Sequence, residues 1–145
     1  MENFDWVLSN KFAVGPAPLS NDQISFLVER KINCILNLCS EEEVPFSNFM
    51  NSNFICNRVK LNDHRSSEFS SLDDIRKAIN NLNDLLNKGS VYVHCFAGIE
   101  RSPLVCMGWL IKFYKLDVMR AYEYLKEIHP ITNPMNSQLM LLNNL

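Results

Sequence analysis

The run Val91-Tyr92-Val93-His94-Cys95 leads directly into Phe96-Ala97-Gly98-Ile99-Glu100-Arg101-Ser102-Pro103. This passage constrains the fold more than any other part of the chain. Val91 to Val93 reads as a short buried strand, because a continuous β-branched and aromatic run suits a strand covered on both faces. Pro103 stands where a helix begins, since a fixed φ and a missing N–H are tolerated in a first turn. An apolar helical pattern follows to about Tyr114. A buried strand that passes through a tight loop into a helix is the repeating unit of a layered α/β domain.

The rest of the chain extends that alternation. Residues 5–14 alternate weakly and predict one edge strand before a turn at Gly15-Pro16. Ser20 and Gln23 have the spacing of a capping box and predict a helix through Arg30. Ile32 to Leu38 reads as a buried strand and Phe54 to Leu61 as a third strand candidate after the edge strand, with irregular or briefly helical chain over residues 41–53. Ser71 caps a helix carrying Leu72, Ile75, Ile79, Leu82 and Leu86 at helical spacing, with Gly89 as its stop. Asp117 opens a helix to about His129, and a last helix follows Asn136. The expectation is one domain over residues 1–145, an α/β fold with a small, mainly parallel sheet and helices on both faces.

Composition narrows the function classes. The net charge is −2, which argues against a general affinity for nucleic acid or an anionic membrane. The N-terminal residues have no basic start followed by an apolar core, so no signal peptide is expected. Five cysteines, at 34, 39, 56, 95 and 106, form no Cys-x-x-Cys pair. An odd count without secretory context predicts free thiols and a cytoplasmic setting. The cysteines and three histidines lack zinc-ligand spacing, so neither metal nor cofactor is expected.

The loop from His94 to Pro103 carries the chemistry. A loop between a strand end and a helix start gathers free backbone N–H groups and the positive end of a helix dipole, which makes an anion site. Gly98 permits a turn closed to residues with a Cβ. Arg101 supplies a planar fork matched to two phosphate oxygens. Such a loop favours the thiolate of a cysteine at its mouth, so Cys95 is the candidate nucleophile. The amides of Phe96, Ala97, Gly98, Ile99, Glu100 and Arg101 are the candidate phosphate donors. His94 can orient the loop and help hold the thiolate, and Ser102 can donate a hydrogen bond to the sulfur.

These residues spell His-Cys-x5-Arg-Ser, the signature of the cysteine-dependent protein tyrosine phosphatase superfamily, and the chain resembles its dual-specificity branch. Phe12 to Leu38 resembles the opening strand, helix and Ile-Leu-Asn-Leu strand of that branch. Val91 to Leu142 resembles its catalytic loop and closing helices. The resemblance implies phosphoester hydrolysis through a phosphocysteine, with phosphorylated protein (phosphotyrosine, phosphoserine or phosphothreonine) as the substrate class and no cofactor. It also implies an aspartic acid upstream of the cysteine that serves in turn as general acid and base. Asp63, at the end of the third strand pattern in Leu61-Asn62-Asp63-His64, is that candidate, with Glu68 as its rival. His64 and His129 read as surface or capping residues.

The chain departs from the family pattern at Glu100, where small residues are commoner, and in having no lysine in the loop. A carboxylate on the loop rim should repel substrates bearing several phosphates by a few kcal/mol before screening, at an effective dielectric of about 20. Cys39, in Asn37-Leu38-Cys39, resembles the cysteine that pairs with the nucleophile under oxidation in the lipid phosphatase and tensin-like branch. That likeness implies a reversible Cys39–Cys95 disulfide, against the plainer reading of a buried small apolar residue. Two alternatives stay open: a phosphate-binding module with weak catalysis, and a phosphatase for a non-protein phosphoester.

Overall fold

In the computed structural model, which describes residues 1–145, the strand and helix patterns assemble around one five-stranded sheet. The elements are β1 (Asp5–Leu8), β2 (Phe12–Gly15), α1 (Asn21–Glu29), β3 (Cys34–Asn37), α2 (Asn48–Asn53), β4 (Ile55–Arg58), α3 (Leu72–Leu86), β5 (Val91–His94), α4 (Arg101–Tyr114), α5 (Val118–Ile128) and α6 (Asn136–Leu141). A short 3-10 turn, Leu142–Asn144, follows α6. The sheet order is β1-β2-β5-β3-β4. All pairings are parallel except β1 with β2.

Period-two alternation distributes the sheet side chains between two cores. Phe12 and Val14 of β2, Cys34 and Leu36 of β3, and Val91 and Val93 of β5 share the larger core with α3, α4 and α5. Ala13, Ile35 and Tyr92 point to the other face, where Ile24 and Leu27 of α1 and Met50 of α2 cover them. Helices therefore lie on both faces, as the alternating pattern required.

Two expectations about the elements change. Residues 5–14 form two strands, because Asn10 adopts a left-handed φ of 61° and Lys11 N–H donates to the Leu8 carbonyl at 2.9 Å. Asparagine tolerates that conformation, so the chain folds back as an antiparallel hairpin at the sheet edge. The helix opened by Ser71 ends at Leu86 with Asn87 as its cap, two positions before Gly89. Its start carries a reciprocal capping box between Ser71 and Asp74, which makes Asp74 a first-turn helix charge.

The register brings the site together. Gly15, His94, Asn37 and Arg58, the last residues of four parallel strands, lie side by side. The loops that follow them share the edge of the sheet at which parallel α/β folds bind ligands. The large core holds that edge rigid. Leu82→Ala, at a fully buried α3 position, should cost about 2–5 kcal/mol, read as a lower urea midpoint with an unchanged m-value. An unshifted midpoint would contradict the burial of α3 against the sheet.

Candidate active site

The loop from Cys95 to Glu100 is shaped by what holds its carbonyls. The Cys95 carbonyl lies 3.0 Å from His94 Nδ1, and the Phe96 carbonyl accepts from Ala17 N–H at 3.0 Å. The Gly98 carbonyl lies 2.6 Å from His129 Nε2, and the Ile99 carbonyl accepts from Asn133 N–H at 2.7 Å. With these four carbonyls drawn outward, the amides in the same peptides, those of residues 96, 97, 99 and 100, face the other way, and no amide of residues 96–100 donates to a protein acceptor. Orphan inward amides at a helix start form a nest for an anion. Gly98 is required for this turn. Its φ is 75°, and a Cβ there would stand 2.6 Å from the Gly15 carbonyl carbon and 2.7 Å from Pro16 N.

Arg101 opens α4 and is almost fully buried. Its Nη1 donates to Glu43 Oε1 at 3.1 Å and to the Leu61 carbonyl at 3.2 Å, and its Nη2 donates to Glu43 Oε2 at 3.1 Å. Of five N–H groups, this leaves Nε–H and one Nη2–H, which lie side by side on one edge of the guanidinium. That edge can take two oxygens of a phosphate. Burial works against the charge, but the Glu43 hydrogen bonds and neighbouring negative charge outweigh it and raise the Arg101 pKa. Burial likewise pushes the Glu43 carboxyl up, and the Arg101 and Ser40 hydrogen bonds reverse this, so its net shift is downward.

Cys95 is buried, at 2 % exposure, with its Sγ 3.3 Å from Ser102 Oγ. Ser102 can therefore donate to a sulfur anion. His94 is fully buried, and burial lowers its pKa to about 4, so the ring is neutral near pH 7. Nδ1 serves the Cys95 carbonyl, and neither ring nitrogen bonds the sulfur. His94 therefore meets the loop through its backbone and makes no direct hydrogen bond to the sulfur. Cys39 follows β3 on the same sheet edge and is fully buried. Its thiol is pushed up to about 12, chiefly by burial, with Arg101 lowering it and Glu43 and Cys95 raising it. All five cysteines are free thiols.

Asp63 faces this loop across a cavity of about 480 Å³ lined by His64, Arg65, Cys95, Phe96, Arg101 and Met135, among others. Its Oδ2 meets Arg65 Nε at 2.7 Å and Nη2 at 2.6 Å, and its Oδ1 accepts from Arg65 N–H at 3.0 Å. Arg101 Nη2 stands 3.9 Å away. Burial raises the Asp63 carboxyl, but the Arg65 hydrogen bonds and the two guanidinium charges more than offset this, and its pKa is lowered. Glu68, the rival candidate, is exposed and does not line the cavity.

Residues 16–145 match the family model for the dual specificity phosphatase catalytic domain. The chain belongs to this family. It is 28 % identical over 118 residues to human dual specificity protein phosphatase 21, covering 81 % of this chain and 58 % of that protein. It is 28 % identical over 109 residues to mouse dual specificity protein phosphatase 14, covering 74 % of this chain and 52 % of that protein. The chain thus spans about half the length of the curated relatives it matches. Among solved structures, PTPMT1 in complex with PI(5)P superposes with a TM-score of 0.83 at 19 % identity, covering 99 % of this chain and 94 % of that one. DUSP15 superposes at 0.79 with 24 % identity, covering 97 % and 85 %. These likenesses show that the fold is shared.

Several sequence expectations about this phosphatase-family site need correction. Glu100 does not sit on the rim as a free charge. It is 8 % exposed, with Oε2 2.7 Å from His64 Nδ1 and Oε1 accepting from Gln138 Nε2 at 3.2 Å. His64 keeps an exposed side chain but is bonded to the phosphate loop. His129 caps α5, as expected, yet it is fully buried, and its Nδ1 lies 2.6 Å from Asp5 Oδ2. It ties β1, α5 and the Gly98 carbonyl together. The sequence reading passed over Glu43 as part of an irregular stretch. Its trace was Ser40-x-x-Glu43, whose reciprocal bonds the structure contains: Glu43 N–H to Ser40 Oγ and Ser40 N–H to Glu43 Oε1, both 3.2 Å.

The Arg65 contact predicts a titration. Asp63 has a lower pKa folded than unfolded, so it adds stability above the unfolded value, and this is lost as pH falls through the folded one. Arg65→Ala should raise the Asp63 carboxyl pKa and shrink that acid-side loss. The shift should be smaller in high salt, because Arg65 is largely exposed. The carboxyl carbon resonance followed against pH measures it, and an unmoved midpoint would assign the lowering to Arg101 and the peptide amide instead.

Proposed function

We propose that this domain hydrolyses phosphomonoesters through a phosphocysteine on Cys95, with phosphorylated protein as its substrate class. The observation that carries this reading is that Cys95, the loop residues whose amides donate to no protein acceptor, and Arg101 with its unpaired Nε edge all line one cavity. The substrate phosphate fills the nest, with two oxygens on Arg101 Nε–H and Nη2–H. The Cys95 thiolate attacks phosphorus as the bond to the leaving oxygen breaks, and protonated Asp63 gives that oxygen its proton. A phosphate dianion in the nest competes for the guanidinium charges that lower the Asp63 pKa, which favours the protonated acid in the complex. In the second step the Asp63 carboxylate takes a proton from water as the water oxygen attacks phosphorus. The S–P bond breaks, the thiolate is stabilised by the Ser102 hydroxyl at 3.3 Å, and inorganic phosphate leaves.

The protein substrate class is supported by relatives named as protein phosphatases. Phe96 and Ile99, partly exposed on the cavity rim, offer apolar contact to the side chain bearing the phosphate. The binding-only alternative is not favoured, because the candidate nucleophile Cys95 and the carboxyl of Asp63 line one cavity, with the buried Ser102 hydroxyl 3.3 Å behind the sulfur. No helix is long and apolar enough to cross a membrane.

Cys95→Ser should abolish turnover while retaining oxyanion binding, and Arg101→Lys should be severely impaired because an ammonium cannot replace the fork. Asp63→Asn should lower kcat by roughly 10²–10⁴ on an alkyl phosphate and by less on an aryl phosphate with a good leaving group. Normal turnover by Cys95→Ser would refute the reading.

Cys39 is proposed as the thiol that traps oxidised Cys95. The sulfenic acid formed by peroxide would condense with the Cys39 thiol, forming the S–S bond and releasing water. A thiol held at about 12 makes that step slow. Peptide mapping after mild peroxide should show a 39–95 crosslink, and equal thiol-dependent recovery in wild type and Cys39→Ser without a crosslink would dismiss it.

A further inference from the structure

Glu100 is out of place as an ordinary phosphate-loop residue. A carboxylate in a loop built to attract anions opposes the loop's purpose unless its charge is used elsewhere. The geometry shows where. Oε2 lies 2.7 Å from His64 Nδ1 and 3.4 Å from His64 N–H, so one carboxylate oxygen grips both the ring and the backbone of a single residue. Oε1 accepts from Gln138 Nε2 at 3.2 Å. Gln138 is itself buried in the first turn of α6, where its Oε1 accepts from Met135 N–H at 3.2 Å. Glu100 therefore joins the phosphate loop, the Asp63 loop and the base of α6.

The Asp63 loop needs such an anchor. Residues 62–70 contain no helix or strand, and residues 64–69 are exposed. The loop's own bonds are local: Ser66 N–H donates to the Asp63 carbonyl at 3.1 Å, and Asn62 N–H to Ser70 Oγ at 2.6 Å. Its tie to Arg101 through the Asp63 carboxylate is long, at 3.9 Å, and a phosphate in the nest would compete for that guanidinium. The His64–Glu100 contact is short and sits one residue from the carboxyl that must reach the leaving oxygen.

We infer that Glu100 is a positioning residue for the general acid: through His64 it clamps the Asp63 loop over the phosphate nest. This inference rests on the reading of Asp63 as the acid. The clamp acts on proton delivery and leaves phosphate binding alone, because the amides and the free Arg101 edge that bind phosphate do not depend on the Glu100 carboxylate. Its function is to hold the Asp63 carboxyl within hydrogen-bond reach of the leaving oxygen, where small displacements carry large rate penalties.

The experiment compares Glu100→Ala, His64→Ala, Asp63→Asn and the double variant Asp63→Asn/Glu100→Ala on an alkyl phosphate and on p-nitrophenyl phosphate, with vanadate inhibition as the measure of the nest. His64→Ala removes an exposed ring and leaves the loop and core in place, so it tests the clamp even if Glu100→Ala loosens the loop. Both single variants should lose kcat on the alkyl ester at least roughly tenfold more than on the aryl ester, with the vanadate constant unchanged. The double variant should be no slower than Asp63→Asn alone, as residues acting through one group are non-additive. If Asp63→Asn shows the leaving-group dependence and the clamp variants lose both substrates equally, or if the losses multiply in the double variant, the clamp is refuted and the acid assignment stands. If Asp63→Asn shows no leaving-group dependence, the acid assignment falls and takes the clamp with it.

Discussion

The site depends on one physical constraint, the outward capture of the phosphate-loop carbonyls. Each partner arrives from a different part of the fold: His94 from the end of β5, Ala17 from the turn after β2, His129 from the cap of α5 and Asn133 from the segment before α6. A peptide plane that gives its carbonyl to one side must present its N–H to the other. Unpaired inward N–H groups are costly in a buried setting, and a bound anion removes that cost. A loop whose amides have no protein partner is suited to an anion in the folded state itself. Gly98 closes the circle, since its left-handed φ lets the loop press against the Gly15-Pro16 peptide.

Around this neutral cage the charges are matched in pairs. Arg101 and Arg65 lie beside Glu43 and Asp63, and Arg65 Nη2 stands 3.7 Å from Glu43 as well. Each guanidinium thus has a carboxylate beside it, and Glu100, the third carboxylate of this site, lies against His64. A phosphate dianion shifts that balance, and in the proposed reaction Asp63 is the carboxyl that answers by taking a proton. Glu43 is less free to do so, because both its oxygens are committed to the Arg101 fork. The same pairing fits the proposed division of roles, with Glu43 orienting Arg101 and Asp63 exchanging the proton.

The local signals were legible because they are local in origin. Strand runs such as Ile32–Leu38 and Val91–Val93, the caps at Ser20, Ser71 and Asp117, and the order Cys95…Arg101-Ser102 follow from the preferences of residues close in sequence. The single strand expected over residues 5–14 failed for the same reason in reverse. A hairpin there depends on Asn10 taking a left-handed φ, which the apolar pattern does not reveal.

The sequence by itself determined the layered α/β fold and the family, and it marked Cys95, Arg101 and Asp63 as the candidates for nucleophile, phosphate fork and acid, because motif spacing and period carry that information along the chain. Only the tertiary structure decided which charges meet. Glu43 orients Arg101 from 58 positions away, Glu100 grips His64 across 36, and His129 reaches Asp5 across 124. Such contacts arise where parallel strands end in register and bring distant loops to one edge of the sheet. A side chain's partner at that edge is set by packing between elements, and a residue read alone, such as Glu100, shows its charge but not the group that takes it up.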